Sequence, residues 1–257
     1  MRPFLLLGVV ALLGAAASTG AEADAGRRDP TRGPDARPIP RRSRSMGLAF
    51  QGRLQRGVRL RESPYLRYVT EYRERGNHWG TWELVQLLER AAYRVERRLP
   101  GAKLSVGELS KREGGRIPGH ASHQSGRDVD IAFYMLDGRG EPFEPYAFAD
   151  FDADGQGTGP NEGLRFDDER NWELVAKLVA DGDARVQYIF VANHLKQRLL
   201  RAGRRRGAPG VLLDRAARVM VQPTGHRHAN HFHVRIYCSP GDKPACVDRG
   251  PRHPWAP

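Results

Sequence analysis

The sequence predicts an α+β domain. Apolar runs of strand length and amphipathic stretches of helix length are interspersed along the chain, without the regular spacing of βαβ units. No glycine fingerprint of a doubly wound nucleotide-binding sheet is present. The 257 residues are 39% hydrophobic, 28% charged and 8% aromatic, a globular composition. That length holds one domain of about 200 residues with appendages. No internal repeat is apparent.

The chain opens on what reads as an export signal, residues 1–23. Met1-Arg2 gives a short positive end, Pro3–Ala17 is apolar, and Ala21-Glu22-Ala23 fits a small-residue cleavage site. Cleavage after Ala17 fits as well. The apolar run is shorter than the roughly 20 residues a membrane span needs. The expectation is therefore an exported protein, periplasmic or secreted, with no integral membrane segment after cleavage. Residues 24–45 are rich in Arg, Pro and Gly and read as a linker. It is a solvated spacer or an electrostatic tether to an acidic surface. The folded body is expected over residues 46–257.

Within that body the clearest helix is Thr81–Leu99. Thr81 can cap it, Trp82, Val85, Leu88, Ala92, Val95 and Leu99 recur at helical spacing, and Pro100-Gly101 stops it. Leu104–Leu109 and Val129–Met135 read as strands, with a Gly-rich loop between them. Asp167 and Asp168 open a second helix through Val179. Val186–Val191 is a third strand, and a short helix follows over Asn193–Leu200. Arg218–Val221 and His231–Tyr237 read as two more strands. Asp150-Phe151-Asp152-Ala153-Asp154-Gly155 starts like a calcium loop. Its twelfth position is Asn161, with the Glu one later at Glu162. The segment reads instead as an acidic surface loop.

The net charge of +12 raises nucleic acid as a partner, but its location opposes this. Residues 27–61 hold eleven Arg and two acids, a net of +9, while residues 1–26 carry −1. The other 196 residues carry +4. A basic nucleic-acid surface on the body is not expected. Cys238 and Cys246 lie beyond the export signal, and in an oxidising compartment they are expected to pair. Their spacing is not that of a CxxC pair, and a Cys-based zinc site usually has more Cys than these two.

The histidines are clustered. His120 and His123 lie close together, and His226, His228, His231 and His233 fall within eight residues. His78, His194 and His253 are isolated and read as ordinary. On a strand, His231 and His233 share one face, and Phe232, Val234 and Ile236 the other. Asp128 and Asp130 likewise share a face of their strand, opposite Ile131. A carboxylate at the edge of a buried strand is costly unless it is paired or binds a metal. Gly126 allows the loop bearing His123 a tight approach. His123, Asp130 and one imidazole of the HxH pair make a three-ligand set with a fourth position left for water, the pattern of a catalytic zinc site.

GHASHQSGRDVDI (Gly119–Ile131) resembles the first metal motif of the penicillin-insensitive murein endopeptidases, and HANHFHVRIYC (His228–Cys238) resembles their second. YIFVANHLKQRLL (Tyr188–Leu200) is similar too. The likeness covers about residues 77–247 and is weak over 46–76. These enzymes belong to a group with lysostaphin, the D-alanyl-D-alanine metallopeptidases and the Sonic hedgehog zinc domain. The resemblance implies a small antiparallel sheet flanked by helices, with the site in a cleft on the sheet. It implies His123, Asp130 and His233 as ligands of Zn2+, and His231, His228 and His120 as catalytic residues. His226 and Arg227 take no role from it. Apart from the resemblance, Asp128 is expected as an acceptor for a ligand histidine. The implied activity is β-lactam-insensitive hydrolysis of D-alanyl–meso-diaminopimelate cross-links in peptidoglycan. The rivals are a D,D-carboxypeptidase or L,D-endopeptidase of the same group, and a non-catalytic zinc module that binds murein.

Overall fold

A computed structural model describes residues 43–257. The export signal expected over residues 1–23, and the linker as far as residue 42, lie outside the described residues. In chain order the first strands are β1 (Arg44–Leu48), β2 (Gln51–Gln55), β3 (Val58–Arg59), β4 (Leu66–Tyr68) and β5 (Trp79–Gly80). Then come α1 (Trp82–Arg98), β6 (Leu104–Val106), β7 (Asp128–Ala132), β8 (Met135–Leu136), β9 (Pro142–Phe143) and β10 (Arg165–Phe166). The remainder is α2 (Asp168–Ala180), β11 (Val186–Phe190), α3 (Asn193–Arg205), α4 (Gly210–Val219), β12 (Met220–Val221) and β13 (His231–Ile236). The class is α+β.

The main sheet has six strands in the order β12-β11-β13-β7-β6-β4. Its centre is antiparallel, whereas the β4–β6 and β11–β12 pairs at its edges are parallel. Parallel neighbours need a crossover. Here α1 connects β4 to β6, and α3 and α4 connect β11 to β12. Small two- and three-stranded antiparallel sheets surround it.

The helices follow their sequence signals. The Thr81 hydroxyl accepts from Leu84 N at the start of α1, and the Asp167 carboxylate accepts from Glu169 N and Arg170 N at the start of α2. Trp82, Val85, Leu88, Ala92 and Val95 of the α1 stripe are buried. They join Val129, Ile131, Phe232, Val234 and Ile236 of the central strands in one core. Among the described residues no helix is long and apolar enough to cross a membrane.

Four segments differ from the sequence reading. The run Val129–Met135 breaks after Ala132, because the Asn171 side chain bonds both the N–H and the C=O of Tyr134 at 2.9 and 2.7 Å. Those groups are thus taken from any sheet ladder. The run Leu104–Leu109 keeps strand geometry only to Val106. Arg218 is helical: α4 runs to Val219 with Ala216 and Val219 buried on one face, and only Met220–Val221 is strand. Finally, β1 begins at Arg44, two residues inside the stretch read as linker. The buried Arg127 holds that hairpin down, bonding Ser45 Oγ, Ile236 O, Val247 O and Asp248 Oδ1. Cys238 and Cys246 are joined, with Cα atoms 5.8 Å apart.

Candidate metal centre

The centre forms where β13 lies antiparallel to β7. The register sets His233 opposite Asp130 and Arg235 opposite Asp128. Strand alternation sends Phe232, Val234 and Ile236 into the core, and His231 and His233 to the other face. His123 arrives from the loop before β7, in the left-handed region at φ 66°. That conformation is strained for a residue with a side chain, and such strain gathers at functional sites. The loop comes close because Gly126 carries no side chain: a Cβ there would meet Leu54 Cδ1 at 2.7 Å.

Four imidazoles converge on one carboxylate. Asp130 Oδ1 lies 3.1 Å from His233 Nδ1, 3.3 Å from His123 Nε2 and 3.5 Å from His231 Nε2. His120 Nδ1 lies 3.6 Å from Asp130 Oδ2. Each ring is anchored through its other nitrogen: His123 Nδ1 to Leu109 O at 2.5 Å, His233 Nε2 to Asp128 Oδ1 at 2.9 Å, His231 Nδ1 to Asn230 Oδ1 at 2.6 Å and His120 Nε2 to Glu108 Oε2 at 2.9 Å. Those four partners are acceptors. The outer nitrogens therefore carry the protons, and in neutral rings the inner ones are lone pairs. Lone pairs facing a buried carboxylate repel one another unless a cation lies among them. Asp130 Oδ1 is buried without an aligned hydrogen-bond donor.

The electrostatics agree. Burial by itself would raise the Asp130 carboxyl, but His123, His231 and His233 outweigh it and hold the group well below the ordinary carboxylate range. Burial would likewise raise Asp128, and Arg235 and His233 reverse it. Burial would lower His233, yet its bond to Asp128 and the adjacent Asp130 carboxylate push it up. His231 has no such bond to a carboxylate, and burial lowers it to about 4.

His120, His123 and Asp130 offer ligand atoms within 4.8 Å of one another and could hold a metal ion. His233 Nδ1 stands 3.3 Å from His123 Nε2, so a second, overlapping set shares His123 and Asp130. His228 lies at the rim, its ring 5.0 Å from that of His231, and its backbone is left-handed at φ 50°. His226 and Arg227 are exposed. His226 meets the group only through its carbonyl, which bonds His228 Nδ1 at 3.1 Å. The acidic loop after Asp150 turns on itself, Asp152 Oδ1 accepting from Asp154 N and Gln156 N. Cys238 and Cys246 stand apart in their disulfide.

Three supporting residues escaped the sequence reading. Asn230 is the neighbour of His231. Phe148 stacks on the His231 ring, centroids 4.5 Å apart at 18°. Room for it exists because Gly107 has no side chain: a Cβ there would meet Phe148 Cζ at 2.5 Å. Glu108 is an acid inside the apolar run Leu104–Leu109, and that mismatch is the signal that could have found it.

The sequence profile of the family described as penicillin-insensitive murein endopeptidase matches residues 45–254. The match takes in the β1–β2 hairpin, where the likeness to motifs is weak. Proteins of that name are similar to this chain. The one from Haemophilus influenzae is 33% identical over 185 residues, 69% of this chain and 57% of that protein. The one from Klebsiella pneumoniae subsp. pneumoniae is 32% identical over 186 residues, 69% and 60%. The one from Salmonella heidelberg is 32% identical over 180 residues, 67% and 58%. The chain spans less than two thirds of the length of these curated relatives. A profile that covers nearly all of the described fold, the two histidine motifs and the C-terminal disulfide loop places the protein: it belongs to the penicillin-insensitive murein endopeptidase family.

Proposed function

We propose that this protein is a zinc endopeptidase that hydrolyses the D-alanyl–meso-diaminopimelate cross-links of peptidoglycan in the periplasm. The observation that carries the reading is the buried Asp130 Oδ1, ringed by inward imidazole nitrogens and lacking an aligned donor. Imidazole and carboxylate donors suit zinc. A tetrahedral ion with ligands at about 2.0–2.2 Å has donor–donor edges of about 3.3–3.6 Å. The His123–Asp130, His123–His233 and His233–Asp130 separations of 3.3, 3.3 and 3.1 Å are close to those edges. In this reading those three residues hold the ion.

Bound zinc supplies a Lewis acid for the scissile carbonyl and brings the pKa of a water to about 7. The protein's own residues do the rest. Asn230 and Phe148 fix the His231 ring from its Nδ1 and its face. Nε2 is then the atom that takes a proton from the attacking water and returns it to the leaving amine. His228 orients His231 or bonds the developing oxyanion. His120 closes the far side of Asp130. No serine acts as nucleophile, so β-lactams have no group to acylate. Residues 1–23 as export signal and 24–42 as linker complete the reading, and the Cys238–Cys246 disulfide fits an oxidising compartment.

The test is mass spectrometry of products from a purified cross-linked muropeptide dimer, with penicillin present, with and without a chelator. Chelator-sensitive conversion to two monomers is the expected result. Loss of one terminal D-Ala would make the protein a carboxypeptidase. No turnover by zinc-loaded protein would leave a murein-binding module.

A further inference from the structure

We infer that Glu108 is the positioning residue of His120: it holds Nε2–H and so turns the Nδ1 lone pair toward Asp130. The inference rests on the reading of His120 as an active-site group.

Glu108 follows β6, and its side chain is 1% exposed. A carboxylate so placed is costly unless it is well bonded. Its Oε1 accepts from Asn77 Nδ2 at 2.7 Å, and its Oε2 accepts from Arg75 Nη1 at 3.1 Å and from His120 Nε2 at 2.9 Å. Its backbone carbonyl accepts from Asp130 N at 2.9 Å. One residue is thus tied through its backbone to Asp130 and through its side chain to the imidazole facing Asp130. Arg75 is 46% exposed and needs no buried partner. It and Asn77 fix the carboxylate, leaving part of Oε2 for His120.

His120 has little else to orient it. It sits on the loop before β7, outside any helix or strand, and its side chain is 20% exposed. Without Glu108 the competing tautomer would carry the proton on Nδ1, facing Asp130 Oδ2 at 3.6 Å. That tautomer would put an N–H in place of the lone pair that faces Asp130 and point the ring's lone pair outward. Glu108 selects against it, as Asp128 does for His233 at the same 2.9 Å. Carboxylate–histidine pairs of this kind fix tautomer and ring orientation around metal sites.

The deciding experiment is 15N NMR of histidine-labelled full-length protein, with the His120 signals assigned by their loss in His120→Gln. Wild type should show His120 as the Nε2–H tautomer, in both metal-loaded and chelator-treated samples. Glu108→Ala should lose that preference and lower kcat for muropeptide hydrolysis by about 10–100-fold, with KM within about threefold. Glu108→Gln keeps an acceptor oxygen and should recover the tautomer and most of kcat. An Nδ1–H tautomer in wild type would overturn the inference without any variant having to fold. A folded Glu108→Ala that keeps both tautomer and kcat would overturn it too. Wild type that cleaves no muropeptide counts against the proposed function instead, and the tautomer still decides the positioning.

Discussion

His78 and the imidazoles around Asp130 are both withdrawn from solvent, but they are treated in opposite ways. His78 is fully buried, and neither ring nitrogen has a hydrogen-bond partner. It stacks on Tyr68 with centroids 3.7 Å apart at 18°. Burial, reinforced by Arg59, pushes it down to about 4, so at neutral pH it is an uncharged aromatic plate in the core. Around Asp130, by contrast, each of four rings spends one nitrogen on an outer acceptor and turns the other inward. His194 and His253 fall between, each with one backbone acceptor and no inward partner. Burial alone therefore does not set these four rings apart. Fixing the tautomer and aiming the lone pair does.

Substitutions should separate the two regions by size of effect. The largest belongs to His123→Ala, which removes an inward nitrogen on the most confined ring. Loss of the metal and a fall in hydrolysis of about 10³-fold or more are expected, since the ion's share is several kcal/mol. Metal analysis beside muropeptide turnover checks both, and retention of either would break the contrast between the two regions.

His231→Ala should keep the metal yet lose about 10²–10⁴-fold in rate, the range of a general acid–base group. An active His231→Ala enzyme would sink that role. Asp128→Asn weakens an outer acceptor and leaves the inner nitrogens in place. Its expected cost is about 10–100-fold in metal affinity or activity, read by chelator competition.

The smallest effect is at His78. His78→Phe preserves the stack on Tyr68 and should leave turnover unchanged. In wild type the folded-state value of about 4 lies below the ordinary 6.5, so the unfolded chain takes the proton first. Stability therefore falls as pH drops from about 6.5 to about 4 and is flat with respect to this group outside that window. Melting curves of the variant should decline less steeply over that interval. An identical slope in both proteins would show that His78 carries no such linkage.

The local features were readable from the residues. The α1 stripe, the Thr81 and Asp167 caps and the shared face of His231 and His233 follow from periods of 3.6 and 2.0, which span a few residues. The acid in the buried run, Asp130, and the order of the two histidine motifs singled out the site in the same way. Elsewhere local pattern misled. Asn171 interrupts the run after Ala132 from 37 positions away, and α4 absorbs residues that read as strand.

The meeting of the two motifs was decided only by tertiary structure. His233 faces Asp130 because β13 pairs with β7 in one register, and a slip by one residue would have turned each imidazole to the core face. The outer acceptors Glu108, Leu109 O and Asp128 reach their rings across 12 to 105 positions of chain. Sequence by itself determined which side chains are candidates for chemistry, because side-chain type and short-range periodicity are local. Which nitrogen each ring presents was left to the fold, because a tautomer is chosen by whatever acceptor packing brings to the other side of the ring.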